Sequence, residues 1–110
     1  MSRIKPRVKP RIKPRVTPVI DPVIHAPNRL KICSMLTTVA EIEFKFIKEH
    51  LEISDSVLSK HLKALEQPCY IKLKKRSDMG RQRTWISLTS TGRDAFNVHV
   101  NALKAIVGNL

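Results

Sequence analysis

Apolar residues along this chain change their spacing several times, and each change marks the end of one element and the start of another. In NRLKICSMLTTV, Leu30, Cys33, Met35 and Leu36 fall near helical spacing, and the Thr37-Thr38-Val39 run argues for the helix end. Ala40-Glu41-Ile42 fits a very short strand. EFKFIKEHLEI then sets Phe44, Ile47 and Leu51 at i, i+3 and i+7, one face of a second helix. SDSVLSKHLKALEQ sets Leu58, Leu62 and Leu65 at i, i+4 and i+7, with Ser54 as a plausible N-cap and Pro68 as the stop. From residue 70 the period drops to two. Ile71 and Leu73 alternate with Lys72 and Lys74, and Ile86 and Leu88 with Trp85 and Ser87, around the loop composition Ser77-Asp78-Met79-Gly80, which predicts a β-hairpin. The helical period returns in STGRDAFNVHVNALKAIVGNL, where Phe96, Val100, Leu103, Val107 and Leu110 are separated by 4, 3, 4 and 3 residues. That seam is longer than a small core needs.

Upstream of residue 19 the pattern is of another kind. RIKPRVKPRIKPRVTP repeats a basic residue, a branched apolar residue, usually Lys, and Pro. Proline at 6, 10, 14, 18 and 22 forbids a helix or a central strand there and biases each preceding residue to extended geometry. Residues 1–18 therefore read as an extended or disordered basic arm, and residues 19–110 as one folded unit. Asp21-Pro22 has the form of an N-cap followed by proline at the first helical position, and Pro27 then kinks or restarts that helix. At polyproline II rise the arm spans roughly 50 Å. It reads as a DNA-clamping arm, a tolerated tail or a dimer-crossing strand; its four-residue period matches neither a polyproline turn nor a strand.

Charge sharpens this outline. The 110 residues carry a net charge of +12, and seven of the 21 Lys and Arg lie in residues 1–18 with no acid among them. A polyanion is the partner expected of such a chain. No apolar run reaches the ~18–20 residues of a membrane span, and the basic N-terminus lacks the apolar segment of a secretory signal. Cys33 and Cys69 form neither a disulfide framework nor a CxxC pair, which fits a reduced, cytoplasmic protein. His25, His50, His61 and His99 are scattered, away from any ligand spacing, so no metal or other cofactor is expected. Without paired carboxylates, a Ser/His/Asp set or a Gly-rich phosphate loop, the sequence does not read as an enzyme.

Two helices joined by a short turn and followed by a basic hairpin form the layout of a winged helix-turn-helix, whose second helix enters the major groove while the hairpin reaches the flanking backbone or minor groove. With Leu58, Leu62 and Leu65 buried, Ser56, Ser59, Lys60 and Lys63 share the opposite face, and His61 flanks it, where packing and phosphate contact are both open. The hairpin supplies Lys72, Lys74, Lys75, Arg76, Arg81 and Arg83 against Asp78 alone. Each cation that neutralises a phosphate releases a counterion, so affinity should fall steeply with salt. Plain solvation of an amphipathic helix and protection of an edge strand account for either feature singly. Their succession favours DNA.

HAPNRLKICSML, FKFIKEHLEISDSVLSKHLKALE and RQRTWISLTSTGRDAF resemble the small winged helix transcriptional regulators of the MarR/ArsR-like class, over about residues 21–107. The resemblance implies an α+β fold, mainly helical with a β-hairpin wing, and a homodimer binding double-stranded DNA. It implies a recognition helix at residues 55–67 and a wing at 74–83. Carried over by position, Ser54 and Ser56 meet phosphate at the helix N-terminus; Ser59, Lys60 and Lys63 face base edges or the groove wall; Lys74, Lys75, Arg76, Arg81 and Arg83 belong to the wing. The ArsR-type cysteine pair is absent, with Ser59 and His61 standing there. Similar sequences place a small residue and Gly before the hairpin Tyr, where this chain has Pro68-Cys69-Tyr70, so Cys69 must adopt a strained left-handed conformation or turn differently.

The seam Phe96, Val100, Leu103, Val107 and Leu110, in a helix at about residues 91–110, is expected to pair with a second copy. Each side chain so buried saves roughly 1.5–3 kcal/mol. Packing back on the chain's own first helix is the competing use. Arg93-Asp94 open that helix and are candidates for capping. The leading expectation is a dimeric, sequence-specific regulator, a repressor acting by occupancy, with no small-molecule effector marked by any residue. A non-specific nucleoid-type protein and a winged helix protein-interaction module are the alternatives.

Overall fold

The computed structural model describes residues 19–108; the basic arm at 1–18 and Leu110 lie outside the described residues. Asp21 opens the fold as expected. Its carboxylate accepts from the Val23 and Ile24 N–H groups, and Pro22 takes the first position of helix α1 (Pro22–His25). Ala26 turns to extended backbone, so Pro27 restarts rather than kinks the helix, beginning α2 (Pro27–Leu36). Strand β1 is Ile42–Glu43, displaced toward the C-terminus from the expected 40–42 because only Ile42 and Glu43 find partners, in Ile86 and Trp85.

Helices α3 (Phe44–Leu51) and α4 (Asp55–Glu66) make the helix-turn-helix. The turn runs through Glu52 at φ 56°, with the Glu52 N–H donating to Glu49 O and the Ile53 N–H to Lys48 O, both at 3.3 Å. These are the two bonds of a Schellman motif. The end of α4 repeats it: Cys69 N–H donates to Glu66 O at 2.8 Å, Tyr70 N–H to Leu65 O at 3.0 Å, and Cys69 sits at φ 65°. Cys69 thus copies the glycine conformation that its β-carbon disfavours. Replacing it with glycine relieves a penalty of about 1–2 kcal/mol against a backbone entropy cost of about 0.5–1 kcal/mol. The Cys69→Gly variant is therefore expected to gain on the order of 0.5–1 kcal/mol, read as a higher urea midpoint at unchanged slope.

Strands β2 (Ile71–Asp78) and β3 (Arg81–Leu88) pair antiparallel, and β1 adds to the far edge of β3, giving the order β1-β3-β2. The loop expected at 77–80 shrinks to Met79-Gly80. Both residues have positive φ, 51° and 77°, the signature of a type I′ turn whose twist matches the strands, so Ser77 and Asp78 remain paired. Helix α5 (Ser90–Val107) closes the domain. Its cap is Thr89, whose hydroxyl accepts from the Gly92 N–H at 2.9 Å, and not Arg93-Asp94; Arg93 instead donates to Thr37 O at 2.9 Å.

The core gathers one face of every long element. Ile24, Ile32, Cys33, Leu36, Ile47, Leu58, Leu62, Leu65 and Ile86 are fully or almost fully buried, and Ile71 joins them. The three α4 leucines fix which face of that helix looks outward. Burial also raises the Cys33 thiol to about 11, with Asp21 adding to the rise, so it stays a neutral core residue.

Candidate nucleic-acid interface

The leucine face of α4 turns Ser56, Ser59, Lys60 and Lys63 to solvent, all exposed. Ser54 caps the helix, its hydroxyl accepting from the Val57 N–H at 3.2 Å and lying 3.2 Å from the Ser56 hydroxyl. Asp55 in the first turn pairs with Lys48 of α3 at 2.9 Å, bracing the turn between the two helices. His61 points elsewhere. It is half-buried against α2, where an Arg29 Nη1 donates to its Nδ1 at 3.3 Å, and burial, then the Arg29 charge, lower its pKa.

Hairpin register divides the wing into two faces, because directly paired residues share a side of the sheet. Leu73, Lys75 and Ser77 lie with Ile86, Thr84 and Gln82; Lys72, Lys74 and Arg76 lie with Ser87, Trp85 and Arg83. The first face continues the surface of α4. Between them runs a groove of about 360 Å³ whose walls include Ser59, Lys63 and Glu66 from α4 and Lys75 and Thr84 from the hairpin. Thr84 and Glu66 are not singled out by the sequence reading. The strand alternation carries a signal for Thr84, since Lys75 shares parity with Leu73 and lies opposite it.

The second face uses its arginines Arg76 and Arg83 internally. Arg83 makes two bonds to the Glu43 carboxylate, at 2.9 and 3.0 Å, and its Nε lies 3.4 Å from Asp78, too poorly aligned for a hydrogen bond. Arg76 pairs with Glu41 and stacks its guanidinium 4.7 Å from the centre of the Trp85 ring. These arginines tie β1 and the residue before it to the hairpin. Among the described residues, Lys60, Lys63, Lys72, Lys74, Lys75 and Arg81 have no acidic partner within ion-pair distance. A helix face and a hairpin face with unneutralised lysines on both walls of one groove form a cationic surface, chemistry that suits phosphate and base-edge acceptors.

The sequence profile of the winged helix DNA-binding domain family matches residues 28–107. The chain belongs to that family. An uncharacterized protein of Methanocaldococcus jannaschii is 34% identical over 82 residues, 74% of this chain and 89% of its own length. Among solved structures, a transcriptional regulator homologue from Pyrococcus horikoshii OT3 superposes with a TM-score of 0.72 at 26% identity, covering 77% of this chain and 84% of that one. Overoxidized AbfR, solved bound to DNA, shares the fold with a TM-score of 0.61 at 24% identity, covering 71% of this chain and 57% of that one. This winged helix protein is thus of the DNA-binding, transcription-regulator class, with α3 and α4 as its helix-turn-helix and β2-β3 as its wing.

Helix α5 of the winged helix domain divides the expected seam. Phe96 packs on the domain's own core, and Val100 and Leu103 are half-buried. Past Leu103 the helix outruns the domain, leaving Ile106 and Val107 each about half exposed, at 55% and 51%; Val98, on another side, is 63% exposed. Among the described residues there is no cluster with metal-holding geometry and no helix long and apolar enough to cross a membrane.

Proposed function

We propose that the chain is a homodimeric, sequence-specific regulator that represses by occupying a pseudo-palindromic site in double-stranded DNA. The observation that carries this reading is the groove with Ser59 and Lys63 on one wall and Lys75 on the other. In the proposed pose α4 lies in the major groove, Ser59, Lys60 and Lys63 meet base edges or the groove wall, and Ser54 and Ser56 meet a phosphate at the helix N-terminus. Lys74, Lys75 and Arg81 hold the flanking backbone; Arg76 and Arg83 act through the shape of the wing. The complex of AbfR with DNA supports such docking by analogy of fold.

Dimerisation rests on α5, where a second copy covers Ile106 and Val107. A two-fold pair of α4 helices one DNA turn apart then reads two half-sites. Seven further cations in residues 1–18 favour added backbone binding and make the nucleoid-type reading the one to be separated. The test is selection of bound genomic fragments at physiological salt, with the full chain and with a chain lacking residues 1–18. Both are expected to enrich the same two-fold motif, the shorter chain with weaker affinity and a shallower salt dependence. Equal recovery of random fragments by the full chain would replace this reading with the nucleoid-type one.

A further inference from the structure

Among the hydrogen bonds that tie helix α1 and its neighbour Arg29 to the rest of the fold, two exist only while His99 and His61 are unprotonated. His99 of α5 is fully buried, the one polar side chain so buried among the described residues. Its Nδ1 accepts the Asp21 backbone N–H at 3.2 Å, immediately before α1. A neutral ring with Nδ1 as acceptor carries its proton on Nε2, which stands 3.4 Å from Nδ1 of His25, the last residue of α1. On the other side, Arg29 donates through Nε to the carbonyl of Val23 in the middle of α1 and through Nη1 to Nδ1 of His61 on α4. Guanidinium only donates, so His61 must accept. Helix α1 touches both α5 and α4, with Ile24 buried between them.

We propose that α1 is a proton-released clamp: unprotonated His99 and His61 hold it between α5 and the DNA-facing helix α4, and acid opens it. Protonated imidazole has no acceptor nitrogen. A proton on His99 Nδ1 meets the Asp21 N–H, and one on His61 Nδ1 meets the Arg29 guanidinium. Both histidines titrate below the ordinary value near 6.5, His99 through burial and then His25, with Asp21 opposing, and His61 through burial and then Arg29. The released segment therefore binds more protons than the clamped one once the pH falls below about 6.5, and the clamp weakens from there downward.

Two of the groups near His99, Tyr70 and Cys33, stay neutral throughout this range. Tyr70 donates to Asp21 at 2.7 Å, and that bond, then burial, pushes its hydroxyl up to about 12; the Cys33 thiol on α2 is also held neutral. Asp21 has its carboxylate committed to Tyr70 and to the Val23 and Ile24 N–H groups, and Asp94 lies on the same cavity wall as His99. Arg29 is the charged group that faces His61.

For its effect on DNA the clamp rests on the DNA-binding reading, and the sign of that effect is diagnostic. Protonating surface histidines adds positive charge and by itself strengthens DNA binding in acid. Opening the clamp does the reverse. Duplex affinity of the full chain is to be measured at pH 7.5 and 5.5, beside His61→Gln/His99→Gln, whose amides accept the same bonds without titrating. About a tenfold loss in acid for the natural chain, against less than twofold for the double variant, is the expected result. Hydrogen exchange over residues 21–30, corrected for intrinsic rates, gives a second measurement without DNA: protection should fall in acid for the natural chain alone. Unchanged protection, or an equal fall in both chains, overturns the clamp. A chain that binds no duplex at either pH overturns the DNA reading and leaves the clamp to be judged by exchange. If the double variant does not fold at pH 7.5, the imidazole nitrogen shifts of the natural chain decide: a His99 that titrates at 6.5 or above sinks the proposal.

Discussion

Replacing Gly92 with alanine is expected to cost about 3 kcal/mol or more and to lower the melting temperature by roughly 12–24 °C. The first turn of α5 lies directly on the chain at Tyr70. A Cβ at position 92 would stand 2.7 Å from the Tyr70 carbonyl carbon and 2.9 Å from its Cα, with the carbonyl oxygen nearer still. These are backbone atoms and cannot rotate away. The same carbonyl accepts the Thr89 N–H at 3.0 Å and the Thr89 hydroxyl at 3.1 Å, so moving α5 outward breaks the cap as well as the packing. Alanine's better helix propensity returns only about 0.8–1 kcal/mol. A domain of this size has a total stability of roughly 5–14 kcal/mol, so a thermal melt followed by circular dichroism reads the change directly. Ser90→Ala, at an exposed position of the same turn, is the control and should melt within a few degrees of the natural chain. A Gly92→Ala protein that did the same would mean that the strand-to-helix junction yields more easily than its hydrogen bonds imply.

The position of Gly92 illustrates what is and is not legible in the sequence. Elements defined by local rules are: Asp21-Pro22 and Ser54 as caps, the Leu58, Leu62 and Leu65 stripe, and the alternation about Trp85 all have causes within a few residues. Gly92 has no positive φ to betray it, and its requirement arises from Tyr70, 22 residues away in the chain. The ion pairs of the wing arginines are hidden for the same reason. In sequence, Arg76 and Arg83 are as free as Lys75; only the antiparallel addition of β1 to β3 sets Glu43 beside Arg83, and only the fold brings Glu41 to Arg76. Heptad spacing in α5 is likewise indifferent to where the domain ends. Phe96 meets the chain's own core while Val107, on the same seam, runs past it. His99 stands inside that seam and reads as a surface residue until Asp21 is folded against it. Cys69 is legible as a conflict between a glycine-like turn and a β-carbon, and the backbone resolves it by accepting the left-handed conformation.

Removing the lysines of the proposed interface in two pairs should produce two different losses, and the difference tests the assignment of roles. Lys60→Ala/Lys63→Ala acts on the outward face of α4, whose side chains reach base-edge acceptors in the proposed pose. Deleting a base-edge interaction costs about 1–3 kcal/mol, so removing two is expected to lower affinity for the selected site roughly 30-fold or more, and affinity for random duplex by much less. Lys75→Ala/Arg81→Ala acts on the hairpin, where neither side chain has an acidic partner among the described residues. The hairpin cations meet phosphate in the proposed pose, so specific and random binding should weaken together, and the slope of log affinity against log salt should become shallower by about 1.8 for each protomer bound. Equal losses on both duplexes from the α4 pair would mean that Lys60 and Lys63 also touch only the backbone. Arg83→Ala separates charge from architecture. Its guanidinium already holds Glu43 and lies beside Asp78, so its removal leaves the two acids unpaired on the second face of the wing and loosens β1 from the sheet. That variant should lose thermal stability, and its DNA affinity should fall with a salt slope nearly that of the natural chain. A slope shallower by a full unit at unchanged stability would instead make Arg83 a phosphate ligand, and the ion pair with Glu43 a resting state that DNA displaces.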